Sequence, residues 1–421
     1  MLVPVVTYLA IVYSQYVALP NEDDYHALFG FALQWHHAPD FLSVLKLIVG
    51  YQHNEYKMPV PYSLLSLELS LTGHLHIPLW IWTGNLLALV ALVPFWLSCA
   101  RERPVRERLL AFVPVVWLLL NVSYGETLNF AICGIQEMGV IVLSLACIYC
   151  ITRPDLKSNY LGCVFLFLAC GTYANAFMLV PIGFVLFYRN KRTVLCAWVA
   201  VTATILALFL YRYHFLPHPR ASVAKMVAFF TALVGSPFGL HGQYLGAIAV
   251  GAVVLVLFGI LVRQKAWEVQ PFGFWVEVWL LLGYALTSYG RSAGSMADAL
   301  PSRYKVYADI ILAATYLQFL HLWLNGRLPR LRLRIVLPAF AAFLVFFQLF
   351  SSATGWYRLH LKHEYVRHGM NRYLESAGQV SPLWYADPLL PWMVRPGIQE
   401  EARELLTESL DRHLYRLPDT F

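Results

Sequence analysis

The stretch Asn21-Glu22-Asp23-Asp24-Tyr25 sets three consecutive carboxylates directly behind an apolar run, residues 2–19, that Pro20 closes. A carboxylate held near apolar surface has its pKa raised, which suits it to take a proton from a hydroxyl. Asp23 and Asp24 are therefore candidates for a general base. The same residues also suit the first turn of a helix capped by Asn21 and running from Glu22 to about Gln34. Further along the same polar stretch lies His53-Asn54-Glu55-Tyr56-Lys57. Enough chain separates it from Asp24 for both to face one cavity. Glu55 would then orient an acceptor or assist a metal, with His53 and Lys57 on substrate; the alternative is a solvated loop.

Two further groups belong with these. Gln136 and Glu137 stand inside an apolar run, where a carboxylate is costly and marks a site or an internal pathway, unless it serves as a hydrogen-bonded packing group. Glu277 is similar but nearer the opposite end of its run, and a structural role is expected of it. Arg291 and Arg303-Tyr304-Lys305 bracket a loop of small residues. An arginine fork matches phosphate oxygens, so these cations suit an anionic phosphate at headgroup level, or else anchor to headgroups by snorkelling.

The elements that must position these residues are membrane helices. With 59% hydrophobic and 13% charged residues, the composition is not that of a soluble globular protein. Apolar runs recur along the whole chain and predict an all-α polytopic membrane protein of about eleven transmembrane helices. The runs are 2–19, 77–100, 109–122, 129–152, two short tilted pieces within 160–188, 193–211, 244–262, 271–289, 306–324 and 335–350. Residues 1–350 form one bundle, with 20–76 as a first outer loop carrying interfacial helices. The apolar piece 227–240, broken by Gly235-Ser236-Pro237, reads as interfacial or re-entrant. Residues 351–421 form a tail whose last helix, from Ile398 through Ala402, Leu405, Leu406, Leu410 and Leu414, lies on the bundle or the headgroups. A cleaved signal peptide is not expected, because residues 2–19 lack a basic start and no small-residue cleavage site precedes Asn21.

The formal charge of +7 does not point to nucleic acid, because the basic residues gather between apolar runs. Clusters at Arg101, Arg153, Arg189, Arg263 and Arg327 all fall on one side of the predicted layout, which makes that side the cytoplasm. The N-terminus is then cytoplasmic, and the acidic motif, the arginine loop and the tail face outward. Of the fourteen histidines, all but His321 fall on the outer side, so chemistry is expected there. The seven cysteines all lie in apolar runs, so no disulfide framework is expected, and Cys147 and Cys150 read as packing residues.

No Walker loop, dinucleotide fingerprint, zinc signature or nucleophile elbow appears, so nucleotide chemistry is unsupported. An acidic motif just behind a first span, here Glu22-Asp23-Asp24, resembles the GT-C superfamily of polytopic membrane glycosyltransferases, in their bacterial form. The Gly290-Arg291…Ser302-Arg303-Tyr304 and His53-Asn54-Glu55 patterns look like multi-span bacterial proteins grouped with it. The resemblance covers the overall layout and about fifteen motif residues. It implies an inverting glycosyltransferase at the outer face of a bacterial cytoplasmic membrane. The donor would be a polyprenyl-phosphate sugar and the acceptor a glycan or a lipid. Asp23 or Asp24 would be the base, and Arg291 and Arg303, with Tyr304 and Lys305, would hold the donor phosphate. No cofactor is required, a divalent cation is optional, and no protein metal ligands are assigned. A Trp-Trp-Asp motif is absent, which argues against oligosaccharide transfer to Asn. Two rivals remain: a flippase for lipid-linked glycan, which needs a polar path through Gln136, Glu137 and Glu277, and a polysaccharide polymerase or ligase centred on His214, His218 and Arg220.

Overall fold

A computed structural model describes residues 2–188, 191–216, 219–239, 243–328, 333–383 and 396–418, with backbone alone for 333–337. Arg189, His218, Arg330, Arg332 and the aromatic residues Trp384, Tyr385 and Trp392 lie outside the described residues. The described chain is helical, with two isolated bridges and no strand. Among the described residues, six helices are long and apolar enough to cross a membrane: Ile77–Ser98, Ala131–Ile151, Arg192–Leu210, Tyr244–Arg263, Ser302–Leu324 and Pro338–Glu375. Their outward faces carry exposed Leu245, Val253 and Val256, an apolar surface that water would not tolerate on such a scale. The chain is an all-α membrane protein. Several shorter helices pack among the six, including Leu2–Gln15, Val105–Leu119, Leu156–Thr172 and Leu179–Phe187.

Local sequence accounts for the breaks. Ile77–Val90 and Leu92–Ser98 make one rod bent at Ala91, because Pro94 has no N–H for the carbonyl one turn back. The apolar stretch 160–188 divides at Tyr173, whose backbone is extended, into Leu156–Thr172 and Leu179–Phe187 with a 3-10 turn between. The expected helix from Glu22 starts three residues later. Glu22 has a positive φ of 46°, and Tyr25–Gly30 winds as a π-helix before Phe31–His36 resumes the α form. The piece Val223–Val234 packs against Tyr244–Arg263 and beside the Met296–Ala299 turn. Lys225 donates to the Ala293 carbonyl at 3.1 Å, and Lys305 donates to the Gly239 carbonyl at 3.2 Å.

The last apolar run does not stop at residue 350. Leu333–Glu375 is one 43-residue helix, about 65 Å long at 1.5 Å per residue and twice the apolar thickness of a bilayer. The tail therefore begins as an extension of that rod. Pro396–Asp411 then folds back onto the outer loop, burying Ala402 and Leu406 beside Leu28 and Phe29. This makes a second apolar core, distinct from that of the bundle. It joins the residues after the first helix, the start of Ala131–Ile151 and the tail. Leu75 N donates to the Leu414 carbonyl at 2.8 Å and ties the tail's end to the root of a span.

The basic clusters meet at the other end. Gln270 reaches the Ser98 carbonyl at 2.9 Å, His321 accepts from Ala100 N at 3.1 Å, and Lys191 donates to the Arg153 carbonyl at 3.0 Å. All seven cysteines are free, and all but Cys196 are buried.

Candidate functional site

At the acidic end of the bundle, a cavity of about 480 Å³ opens between the outer loop, four helix ends and the tail. Asp23, His53, Gln136, Glu137, Arg291 and Arg303 all line it, drawn from nearly three hundred positions of sequence. Arg291 and Arg303 stand at the ends of regular helices, and local irregularities present several of the others. A π-helical turn, Gly134–Met138, presents Gln136 and Glu137, and the π-helical Tyr25–Gly30 presents His26. Such turns widen a helix by one residue and recur at functional sites. His53 and Tyr56 close a tight turn through reciprocal backbone hydrogen bonds of 3.0 and 2.8 Å. Asn54 takes the positive φ of 51° that this turn needs, a conformation asparagine tolerates. The turn aims His53 at Asp23 and Tyr56 at Arg291.

The two neighbouring aspartates have different environments. Asp24 is fully buried, and both of its oxygens accept backbone N–H groups, from Asn21 at 3.0 Å, Ile132 at 2.8 Å and Ala131 at 3.3 Å. It caps the start of Ala131–Ile151, while Asn21 caps nothing, the reverse of the expected arrangement. Burial pushes the Asp24 carboxyl up to about 7, against the three amides and the charge of Lys362. Asp24 does not line the cavity. Asp23 does, with its carboxylate 3.6 Å from His53 Nε2. Burial pulls its pKa up, but the His53 hydrogen bond and the charges of His53, Arg303 and His26 prevail and hold it below the usual carboxylate value. Asp23 is therefore an ionised carboxylate at neutral pH.

The cations are also unequal. Arg291 pairs with Glu55 at 2.9 Å and with the Tyr56 hydroxyl. Arg303, at the first turn of Ser302–Leu324, lies 3.7 Å from Glu126 and over the Tyr304 ring. Glu126 is committed elsewhere, since it accepts from Ser302 N at 3.3 Å at the start of that helix. Arg303 is the cation held more loosely. Glu55, expected to act on an acceptor or a metal, instead fixes Arg291.

Besides Asp24 and Glu55, three expected site residues do not line the cavity: Lys57, Lys305 and Tyr304. Lys57 is buried with its ammonium on the Leu208 carbonyl at 3.4 Å and on the Tyr211 carbonyl, where it caps the C-terminus of Arg192–Leu210. Burial lowers its pKa to about 8. Lys305 is spent on the Gly239 carbonyl, and Tyr304 contributes its carbonyl to the Tyr284 hydroxyl at 2.6 Å. Glu137 accepts from the Tyr307 hydroxyl at the cavity floor. Glu277 is bonded to Thr315 and Gln318 and does not line the cavity. His214 binds Gln52 through its backbone, with 2.9 Å for each bond, and neither it nor Arg220 lines the cavity.

Sequence reasoning passed over His26, Lys362 and Glu401. His26 lies 2.6 Å from His53, Nδ1 to Nδ1, and its Nε2 is 3.4 Å from Glu401 on the tail helix. Burial, then the neighbouring His53, lowers the His26 pKa. Lys362, on the long terminal helix, forms a buried pair with Glu22 at 3.1 Å and sits over the Phe130 ring. Its only sequence signal was the His- and Arg-rich run that follows the last apolar segment. Among the described residues, no group of three or more His, Cys, Asp and Glu side chains is arranged to hold a metal ion.

No family model, no curated protein and no solved structure matches this chain.

Proposed function

We propose that this chain is a membrane glycosyltransferase of GT-C type, moving a sugar from a polyprenyl phosphate to a glycan or lipid acceptor. In this reading the shorter helices cross the membrane together with the six long ones, giving eleven spans. The basic end faces the cytoplasm of a bacterial cell, and the cavity faces outward. The observation that carries the reading is one cavity holding an ionised carboxylate, Asp23, with two guanidinium groups, at the end of a helical membrane bundle.

The chemistry follows from those groups. Asp23 takes the proton of the acceptor hydroxyl as its oxygen attacks the anomeric carbon. The bond from that carbon to the phosphate oxygen breaks, and the lipid phosphate leaves as an anion already stable in water. Attack opposite the leaving group inverts the anomeric centre. Arg303, with Arg291 behind it, neutralises the charge that collects on the phosphate. Gln136 and Glu137 at the floor are placed for sugar hydroxyls, and a divalent cation remains optional.

The test uses the full chain in lipid nanodiscs with a panel of radiolabelled polyprenyl-phosphate hexoses and pentoses and a membrane glycan extract as acceptor. Asp23→Asn is expected to slow transfer by about a hundredfold or more while leaving donor binding intact. Arg303→Gln is expected to raise the half-saturating donor concentration. Normal transfer by Asp23→Asn removes the base assignment, and transfer from no donor by the wild-type chain removes the reading itself.

A further inference from the structure

Glu401, His26, His53 and Asp23 form a continuous line from the outer edge of the cavity to its interior. The successive separations are 3.4 Å, 2.6 Å and 3.6 Å. The line crosses three separate pieces of chain: the tail helix, the π-helical turn and the His53–Tyr56 turn. The most buried member is His53, between an exposed Glu401 end and an Asp23 that is 33% exposed to the cavity. The Glu401 and His26 side chains are 51% and 40% exposed, and that of His53 is 7% exposed. With 2.6 Å between the two Nδ1 atoms, there is room for a single proton between the imidazoles. One ring donates and the other accepts. In the state ready to receive a proton, His53 Nε2 carries none and accepts from Asn54 Nδ2 at 3.0 Å; once the proton arrives that bond gives way, and Nε2–H becomes the donor to Asp23. In the ready state His53 Nδ1–H donates to His26, and His26 Nε2–H points to Glu401.

We propose that His53 and His26 are a proton wire that carries the proton taken up by Asp23 out of the cavity to Glu401. The proposal rests on Asp23 as the base. A sugar and its lipid phosphate filling a cavity of this size displace the water through which Asp23 would otherwise release its proton. The steps balance without any further reactant. The acceptor's proton passes from the Asp23 carboxyl to His53 Nε2. The proton on His53 Nδ1 moves to His26 Nδ1. The proton on His26 Nε2 moves to Glu401, and from there to bulk water. Resetting returns each imidazole to its starting tautomer, its proton passing from one ring nitrogen to the other by exchange with water or a ring flip once product has left. The other charged and titratable groups facing the line are Arg303 at Asp23, and Tyr51 and Tyr62, which pack against the loop that carries it. His53 and His26 act through Asp23, so they are positioning and relay residues.

The test reads the wire directly, in the full chain labelled with ¹⁵N-histidine and held in nanodiscs. A single low-field N–H resonance is expected, lost in His26→Asn and in His53→Asn. Glu401→Gln removes an anion that favours the imidazolium, so it is expected to move the titration of both histidines to lower pH. Asp23→Asn should do the same from the other end. Charge alone also reaches both rings, so the shared low-field resonance and the imidazole rescue decide for the wire. In turnover with a donor that the wild type accepts, His26→Asn should be slow and restored by free imidazole, whereas Asp23→Asn should not be restored. Independent titration of the two rings, or failure of imidazole to restore a folded His26→Asn, overturns the wire. Normal turnover by Asp23→Asn with both rings still linked overturns the base reading instead.

Discussion

At the scale of single residues, Asp23 and Asp24 show how little separates a reactive carboxylate from a structural one. Both stand in one acidic run, and the sequence offers either as a base. The choice is made by Ala131 and Ile132, more than a hundred positions away, whose amides take both oxygens of Asp24. The same kind of long-range partnership sets Lys57 and Lys305, expected at substrate and phosphate, on backbone carbonyls. A lone cation in a polar loop looks free until the carbonyl it caps is known. His53, Gln136, Glu137, Arg291 and Arg303 were legible because an ionisable or amide group inside an apolar run, or a cation on the acidic side, has few structural reasons to be there. A pH prediction follows from Asp24. Its carboxyl is raised in the fold from 3.8 to about 7, so the folded state favours the protonated form. The stability from this group is full below 3.8 and is lost as pH rises through about 7, by up to roughly 4 kcal/mol. Melting of wild type and Asp24→Asn from pH 5 to 8 should show the difference shifting in the variant's favour as pH rises. A difference that is flat with pH would refute the assignment.

At the scale of elements, the hydrophobic runs located the helices well, because an apolar segment of that length has few other fates. What the runs did not carry were the departures from regular winding. The π-helical turns Tyr25–Gly30 and Gly134–Met138 have no composition of their own, and both open onto the cavity. The continuation of the last apolar run into a 43-residue helix was hidden for a similar reason. Its second half is charged, yet nothing in it breaks a helix. One element contact is testable through its glycines. A Cβ at Gly251 would lie 1.9 Å from the Thr231 carbonyl oxygen, and one at Gly235 would lie 1.9 Å from that of Ala247. Val223–Val234 can pack against Tyr244–Arg263 at this distance only because both positions lack a side chain. The same helix carries Lys225, which holds the carbonyls of Ala293 and Gly294 between the two site arginines. Gly251→Leu should therefore cost about 1–3 kcal/mol in thermal unfolding and also weaken donor binding. Gly259→Leu, on the same helix with nothing within 4 Å, should change neither.

At the scale of the whole molecule, the protein is a bundle with a separate outer cap, and the cavity lies where the two meet. The cap's core is built from both ends of the chain. Leu28 and Phe29 come from the outer loop, Ala402 and Leu406 from the tail, and the long helix from residue 333 spans the distance between bundle and tail. The six long helices all end by residue 375, so chains cut there retain everything needed to insert. They lose Ile398, Glu401, Ala402 and Leu405 from the cavity wall and leave the apolar face of Tyr25–Gly30 bare. Deletion of residues 376–421 should give a membrane-inserted chain without transfer activity. The basic end and the cavity end lie at opposite poles of the bundle, so the proposed orientation has a single decisive readout. In a Cys196→Ser background, Glu401→Cys should react with an impermeant thiol reagent on intact cells. Arg153→Cys should react only after the membrane is opened. The reverse pattern would place the cavity in the cytoplasm, where nucleotide sugars are at hand and the reason for a lipid-borne donor disappears.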